Sequence, residues 1–474
     1  MQVGSANFAT PALIAPEHLM PLFSQVSFRL RYLSWLALAL PVWLTGCPQT
    51  EVRGGFTDVA SSDVSLPSDG TATGDASSGG DSSTTGDTTT TFADFKPNCS
   101  QTQACATGKT CVDGVCVVDP TAAQKGEVTD PFNDFLPTAD PVQLGCVGVP
   151  LETQLKDVKG PSTVTLWGRV DRFGGGPLTA NVEVSVFELS KFHPEACAGI
   201  VDDDARAACF VSDKVGTPIG KATSIDPDTA KASGLDVQAK AAAGQDCVQH
   251  LDCPSGYECR KDNSAAGAKI CLRTHGLYAI EGVLTNTRLV VRVHGLAAKD
   301  KWHDSYYWDI VLFADHIDKT GAGTQPSKYV GKDTYRSNPT IVGEGQWQLV
   351  PTTIGVQEIE LGHGVIGGRI RDCGIPDGRG GWAIHNAKVG MGVLPKGFAY
   401  FNDNEDDTVP VKTATATDTL GRFAAVDMPA GHNRIAAATM IGGKPTPLGS
   451  VDVFVVPDAL MIVSLPGRIP VLTK

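Results

Sequence analysis

Thirteen cysteines in 474 residues constrain this chain more than any other feature. A reduced compartment rarely tolerates so many thiols, so they imply either bound metal or export to an oxidising environment. Eight of them fall into two clusters. Cys99, Cys105, Cys111 and Cys116 stand in NCSQTQACATGKTCVDGVC; Cys247, Cys253, Cys259 and Cys271 stand in DCVQHLDCPSGYECRKDNSAAGAKIC. Both open as C-x5-C-x5-C, and both place a glycine three residues before the third cysteine, Gly108 and Gly256. The cluster is therefore an internal repeat. Zinc ligands are commonly paired two to four residues apart, so spacings of five favour disulfides.

The stretch from Phe28 to Cys47 reads FRLRYLSWLALALPVWLTGC. Arg29 and Arg31 precede an apolar run from Tyr32 to Leu44 that is shorter than the ~18–20 residues needed to span a bilayer. Leu44-Thr45-Gly46-Cys47 resembles the lipobox of bacterial lipoprotein signal peptides. The resemblance implies cleavage before Cys47 and diacylglycerol on its thiol, which makes the membrane a partner. Pro48 rather than Asp follows it, which by the same resemblance favours the outer membrane. Starting at Met20 would give the signal a leading segment of ordinary length. With Cys47 set aside, twelve cysteines remain, an even number that suits complete pairing.

The two clusters resemble the small EGF-like or Dickkopf-like cysteine modules of secreted proteins, which have almost no core and depend on crosslinks. Four cysteines allow three connectivities; first-to-third with second-to-fourth is the expected one. Cys197 and Cys209 flank a short segment that they could close locally, and elimination leaves Cys146 with Cys373.

From Gly54 to Thr91 the chain is almost only Ser, Thr, Gly, Asp and Ala, with Asp63, Asp69, Asp75, Asp81 and Asp87 at six-residue intervals. Such composition predicts a disordered spacer. About 50 residues of it would span roughly 40 Å root-mean-square. The net charge of −13 argues against nucleic acid and against attraction to anionic headgroups.

Beyond the spacer, 52 glycines, 30 prolines and few helix-forming runs favour strands and turns. Val182, Val184 and Val186 alternate with polar residues, as do Leu289, Val291 and Val293. This is the period of strands with one buried face. TLWGRVDRFG, LTANVEVSV and GLYAIEGVLTNTRLVVRV are echoed near the C-terminus by VIGGRIRDCG, IHNAKVGM and GRFAAVDMPAGHNRIAAAT. Gly276 to Val293 and Gly421 to Ala438 each give a Gly-aromatic strand, a turn and an apolar strand. That pattern resembles the carboxypeptidase regulatory-like domain, a transthyretin-like β-sandwich, over roughly 160–297 and 364–470. The resemblance implies a fold and no activity. The zinc-binding catalytic domain that accompanies such domains needs His-x-x-Glu, and none of the ten histidines is followed by Glu at that spacing.

The expected organisation is all-β: two Ig/transthyretin-like sandwiches, small disulfide-rich modules and a disordered N-terminal tether. Its parts are a signal at 1–46, a lipidated linker at 47–95, one cysteine module at 96–120 and a first sandwich at 121–300. A second cysteine module is inserted at 243–274, connecting strands fill 301–360, and a second sandwich occupies 361–474. Strands are expected through GQWQLVP and GVQEIEL. In WHDSYYWDIVLFAD, alternation puts Tyr306, Trp308, Ile310 and Leu312 on one face and Tyr307, Val311 and Phe313 on the other. Burial in a core is the first reading, and an aromatic platform for sugar stacking through Trp302 and Trp308 is the alternative.

No G-x-S-x-G elbow, P-loop, HExxH or dinucleotide fingerprint occurs. His303 and Asp304 are strand neighbours and should point apart. Asp403, Glu405, Asp406 and Asp407 crowd a turn that could take calcium, and Asp202 to Asp204 form a weaker candidate. The expectation is a non-catalytic, lipid-anchored envelope protein that binds or scaffolds a protein or polysaccharide partner. A calcium-stiffened stalk and a hydrolase with scattered acids are the competing readings.

Overall fold

The computed structural model describes residues 95–466, apart from 101, 131–135, 174–177, 198, 236–256, 262–268, 274, 297–301, 318–324, 375–380 and 404–408. The export signal, Cys47, the spacer, Cys247, Cys253, Glu405, Asp406 and Asp407 lie outside the described residues. The described chain is all-β, with four short α-helices among the described residues.

The first segment forms a hairpin, β1 (Lys109–Val112) and β2 (Val115–Val118), followed by β3 (Glu127–Asp130), β4 (Leu136–Pro137) and helix α1 (Leu151–Gln154). The β1–β2 turn is Asp113-Gly114, both left-handed, as a two-residue hairpin of matching twist requires. Disulfides Cys99–Cys111 and Cys105–Cys116 hold it in the first-to-third, second-to-fourth arrangement.

The N-terminal half comprises β5 (Thr163–Arg169), β6 (Asp171–Phe173), β7 (Val182–Glu188), α2 (Asp203–Phe210), β8 (Gly220–Thr223) and α3 (Pro227–Ala232). Then come β9 (Tyr257–Lys261) and β10 (Lys269–Arg273), the hairpin of the second cysteine cluster, which sets Cys259 across from Cys271. β11 (Leu277–Leu284), β12 (Arg288–Gly295), β13 (Trp302–His303), β14 (Ser305–Val311), β15 (Thr334–Arg336) and β16 (Thr340–Gly343) complete it. The C-terminal half runs through α4 (Glu344–Thr353), β17 (His363–Ile370), β18 (Ala383–His385), β19 (Lys388–Met391), β20 (Gly397–Phe401) and β21 (Pro410–Val411). It ends with β22 (Arg422–Pro429), β23 (Gly431–Ile441), β24 (Lys444–Val455) and β25 (Leu460–Leu465).

The repeated motifs become a repeated topology. In the first half β5 pairs antiparallel with β11 and parallel with β15, while β12 lies between β7 and β14. In the second half β17 pairs antiparallel with β22 and parallel with β25, while β23 lies between β19 and β24. The recurring residues have matching jobs. Gly168 stands across from Tyr278, and Gly368 across from Phe423. A Cβ on Gly368 would come within 2.5 Å of the Phe423 ring, so the glycine is what lets the aromatic lie flat over the neighbouring strand. The seventh residue of each Gly-aromatic motif, Gly282 and Asp427, has a positive φ at a register shift, so both strands bulge at the same point.

The two halves share one sheet of nine strands, in the order β21-β20-β22-β17-β25-β14-β12-β7-β8. Its middle is the parallel pairing of β25 with β14, so a strand of the second half extends a sheet of the first. Both ends are guarded against further pairing, by Pro410 in the two-residue β21 and by Lys221 in the short β8. One face of β7, β12 and β14 buries Val184, Val186, Val291 and Ile310 in the core of the first half. The other face buries Phe187, Val290, Tyr306 and Trp308 in a cluster continuous with Ile366, Met461 and Val463 of the second.

Several expectations are corrected. GQWQLVP is not a strand but most of α4, whose Trp347 and Pro351 are buried at helical spacing. GVQEIEL forms no strand, and its Leu361 is exposed. The strict alternation in β14 fails because Asp309, at φ +57°, bulges the strand. Tyr306 and Trp308 therefore enter the shared cluster, while Tyr307, Ile310 and Leu312 join the first half's core. β3 pairs with β18 of the second half, and β4 with β3. The cysteine hairpin packs there too, setting Val112, Val115 and Val117 on Ala436 and Ala438. β23 is thus covered on both faces, which accounts for its unbroken small-apolar run.

Candidate functional site

Three histidines and their acidic partners meet at one end of the central sheet, where the halves join. β13 and β14 reach it from the first half, and the start of β17 and the turn between β24 and β25 from the second. The turn is held by backbone: the Asp458 N–H donates to the His363 carbonyl at 2.7 Å, and the Leu460 N–H to the Asp304 carbonyl at 2.8 Å. Asp458 itself has φ +54°.

His303 and Asp304 point apart, as strand neighbours must. His303 Nε2 faces Glu344 Oε2 at 3.1 Å, and its Nδ1 faces the Asp458 carbonyl oxygen at 3.2 Å. The ring stacks on Trp347 with centroids 4.2 Å apart and an interplanar angle of 10°. Asp304 instead takes His294 Nδ1 at 2.8 Å, a hydrogen bond that raises the His294 imidazole above its ordinary value against the opposing effect of burial. Across the seam His363 Nδ1 lies 2.7 Å from Asp427 Oδ1. Burial alone would raise the Asp427 carboxyl, but the Glu360 N–H, the Lys396 ammonium and the His363 imidazole hold it below the usual carboxylate range. Burial pushes the Asp458 carboxyl up, against a 3.3 Å bond from the Gly362 N–H and the nearby charge of Arg206.

Behind the seam, Arg292 is 4% exposed on β12. It donates to the Phe210 carbonyl at 2.8 Å and to Glu183 Oε1 at 3.0 Å, and lies 5.3 Å over the Phe187 ring. It thereby ties α2 to the sheet. The segment that carries α2 is closed by the Cys197–Cys209 disulfide.

The other singled-out residues lie in separate places. Trp308 is 7% exposed with Phe192 against its edge, so it has no face for a sugar. Trp302 is half-buried, with Gly295 and Gly343 against its ring. Asp403 accepts the Thr419 N–H at 2.7 Å. Asp202 caps α2 through the Ala205 N–H, and Asp203 pairs with Arg206. Cys146 and Cys373 form a disulfide beside Asp372, which is fully buried and accepts from the Gln143, Gly374 and Trp382 N–H groups. Cys271 is also disulfide-bonded. Sequence reasoning picked out the Trp302–Asp304 stretch but missed Glu344, Trp347, His363, Asp427 and Asp458. No local motif links residues so far apart; only the left-handed Pro-Asp turn at 457–458 offered a signal.

Comparison with known families, with curated proteins and with solved structures finds no match.

Proposed function

We propose that this chain is a lipid-anchored envelope protein without catalytic chemistry of its own. It would present a disulfide-braced β-platform to a partner, most naturally a protein. The carrying observation is the parallel pairing of β14 with β25, which makes one sheet of two repeated halves. A shared sheet and a shared core resist hinge motion, and a stiff platform suits holding or spacing better than closing over a substrate. The lipobox-like run ending at Cys47 and the Ser/Thr/Gly/Asp spacer supply the anchor and tether of this reading. The seam's imidazoles and carboxylates are engaged across elements, in contacts that brace the fold. The buried Trp308 and half-buried Trp302 weigh for a protein partner over a polysaccharide. Within this reading each half is a transthyretin-like sandwich of the carboxypeptidase regulatory-like kind, supported by the repeated strand order.

The test has two arms. Metabolic labelling with an alkyne-palmitate should mark the full chain and fail to mark Cys47→Ala; equal labelling of the variant removes the anchor. The full chain in detergent, used as bait on envelope extract, should retain a partner that protease treatment of the extract abolishes. Capture that survives protease would replace the protein partner with a glycan.

A further inference from the structure

The two cysteine hairpins share a register. In the first, Cys111 stands across from Cys116, with Val112 across from Val115 and Thr110 across from Val117. In the second, Cys259 stands across from Cys271, with Arg260 across from Ile270 and Glu258 across from Leu272. Residues alternate between the two faces of a strand pair, so superposing the cysteine pairs superposes the faces. Arg260, Ile270 and Leu272 therefore occupy the positions of Val112, Val115 and Val117.

In the first hairpin that face is a docking face. Val112, Val115 and Val117 are buried against Ala436 and Ala438 of β23, and the hairpin rests on β19 as well. Gly390 of β19 leaves room for it, since a Cβ there would stand 3.1 Å from Val117 and 3.2 Å from Val115. The second hairpin forms a sheet of its own, and it packs on none of the other described strands or helices to a comparable degree. It nonetheless keeps apolar residues at the two β2 positions that seat the first hairpin, with an arginine in place of Val112.

Charge indicates what would cover it. β9 and β10 carry Arg260, Lys261, Lys269 and Arg273 against Glu258 alone, in a chain of net charge −13. The strands of the first hairpin carry only Lys109. Lys261 and Lys269 stand directly across from each other, a like-charge pair that destabilises a hairpin on its own and is relieved by carboxylates brought near it.

We propose that the second hairpin is the platform's partner-binding element: the face bearing Arg260, Ile270 and Leu272 docks on a β-sheet face of a separate acidic protein, as the first hairpin docks on β23. This deepens the reading of the chain as a platform for a protein partner, and rests on it. Anionic headgroups could answer the charge, but the first hairpin shows these positions seated on a protein sheet. A second copy of the chain offers no vacant equivalent of that seat, because its β23 is covered by its own first hairpin.

The test places a benzoylphenylalanine photo-crosslinker in the full chain at position 270 or, as control, at position 118, where Val118 is 50% exposed on the first hairpin. Irradiated in intact cells of the producing bacterium, position 270 should give one protein adduct that position 118 does not, and the captured protein should be acidic. Once purified, that protein should bind the full chain more weakly as salt rises. It should bind more than about tenfold more weakly after Ile270→Asp with Leu272→Asp, and likewise after Arg260→Glu, which serves alone if the aspartate pair fails to fold. The same adduct from both positions, an adduct with lipid or with a second copy of the chain, or binding indifferent to these substitutions overturns the proposal. A protein partner retained by the full chain with no adduct from position 270 removes the hairpin's role and leaves the platform reading standing. No retained partner at all removes both.

Discussion

Replacing Cys146 and Cys373 together by serine should cost close to the largest stability loss that a single crosslink in this chain can give. The bond closes a loop of 227 residues. The chain-entropy relation puts its effect on the unfolded state at roughly 5 kcal/mol for a loop of that size. Cys197–Cys209 lies inside the loop and shortens it, but the dependence is logarithmic and the figure hardly moves. The folded state should change little. Asp372 keeps its bonds from Gln143, Gly374 and Trp382, and none of them needs the sulfur atoms. The loss should therefore come from the freed unfolded chain. In urea the midpoint should drop and the slope of stability against denaturant should steepen, because a less crosslinked unfolded chain exposes more surface. A loss under about 1 kcal/mol with an unchanged slope would refute the reasoning, placing the bond's effect inside the native state or nowhere.

Arg292→Ala should cost ~3–5 kcal/mol in the same assay, because it leaves Glu183 and the Phe210 carbonyl facing each other without their cation. Glu183 also supplies a pH signature. Burial would raise its carboxyl, but Ser185, Arg292 and Lys221 outweigh burial and hold it below the usual range. Its contribution is present above the unfolded value of about 4.3 and disappears as pH falls through the lower folded value; Arg292→Ala should flatten that acid limb. Gly168→Ala places a Cβ 1.8 Å from the Ser337 carbonyl oxygen, and the needed backbone shift should cost ~1–3 kcal/mol. Trp308→Ala should destabilise by ~3–5 kcal/mol through the cavity it opens, a loss that calorimetric unfolding would register whether or not a glycan is present.

The repeat was legible because its residues do local work. Gly168 and Gly368 make room for the aromatics opposite, and the Gly-aromatic motifs bulge at their seventh position in both copies. The Cys146–Cys373 bond was legible because an even set suits complete pairing, and assigning the other cysteines to their clusters and to the Cys197–Cys209 loop left these two by elimination. Features set by distant packing were less so. In QWQLV a period of two hid the helical spacing of Trp347 and Pro351, which matters only once α4 lies on the second half. Nothing local foretells a left-handed Asp309, yet that residue decides which core receives Ile310. β3 carries no mark of the sheet it joins, because it pairs with β18 and β4 through backbone groups that every residue has. The seam escaped for the same reason: His303, Glu344 and Asp458 meet only after β14 and β25 pair.

That pairing is the centre of the account, and scanning calorimetry of the full chain tests it most directly. Two halves that share a sheet and a core should unfold together, in one transition whose calorimetric and van't Hoff enthalpies agree. Two separable transitions, or a calorimetric enthalpy well above the van't Hoff value, would mean that the halves unfold independently and would contradict the single braced platform.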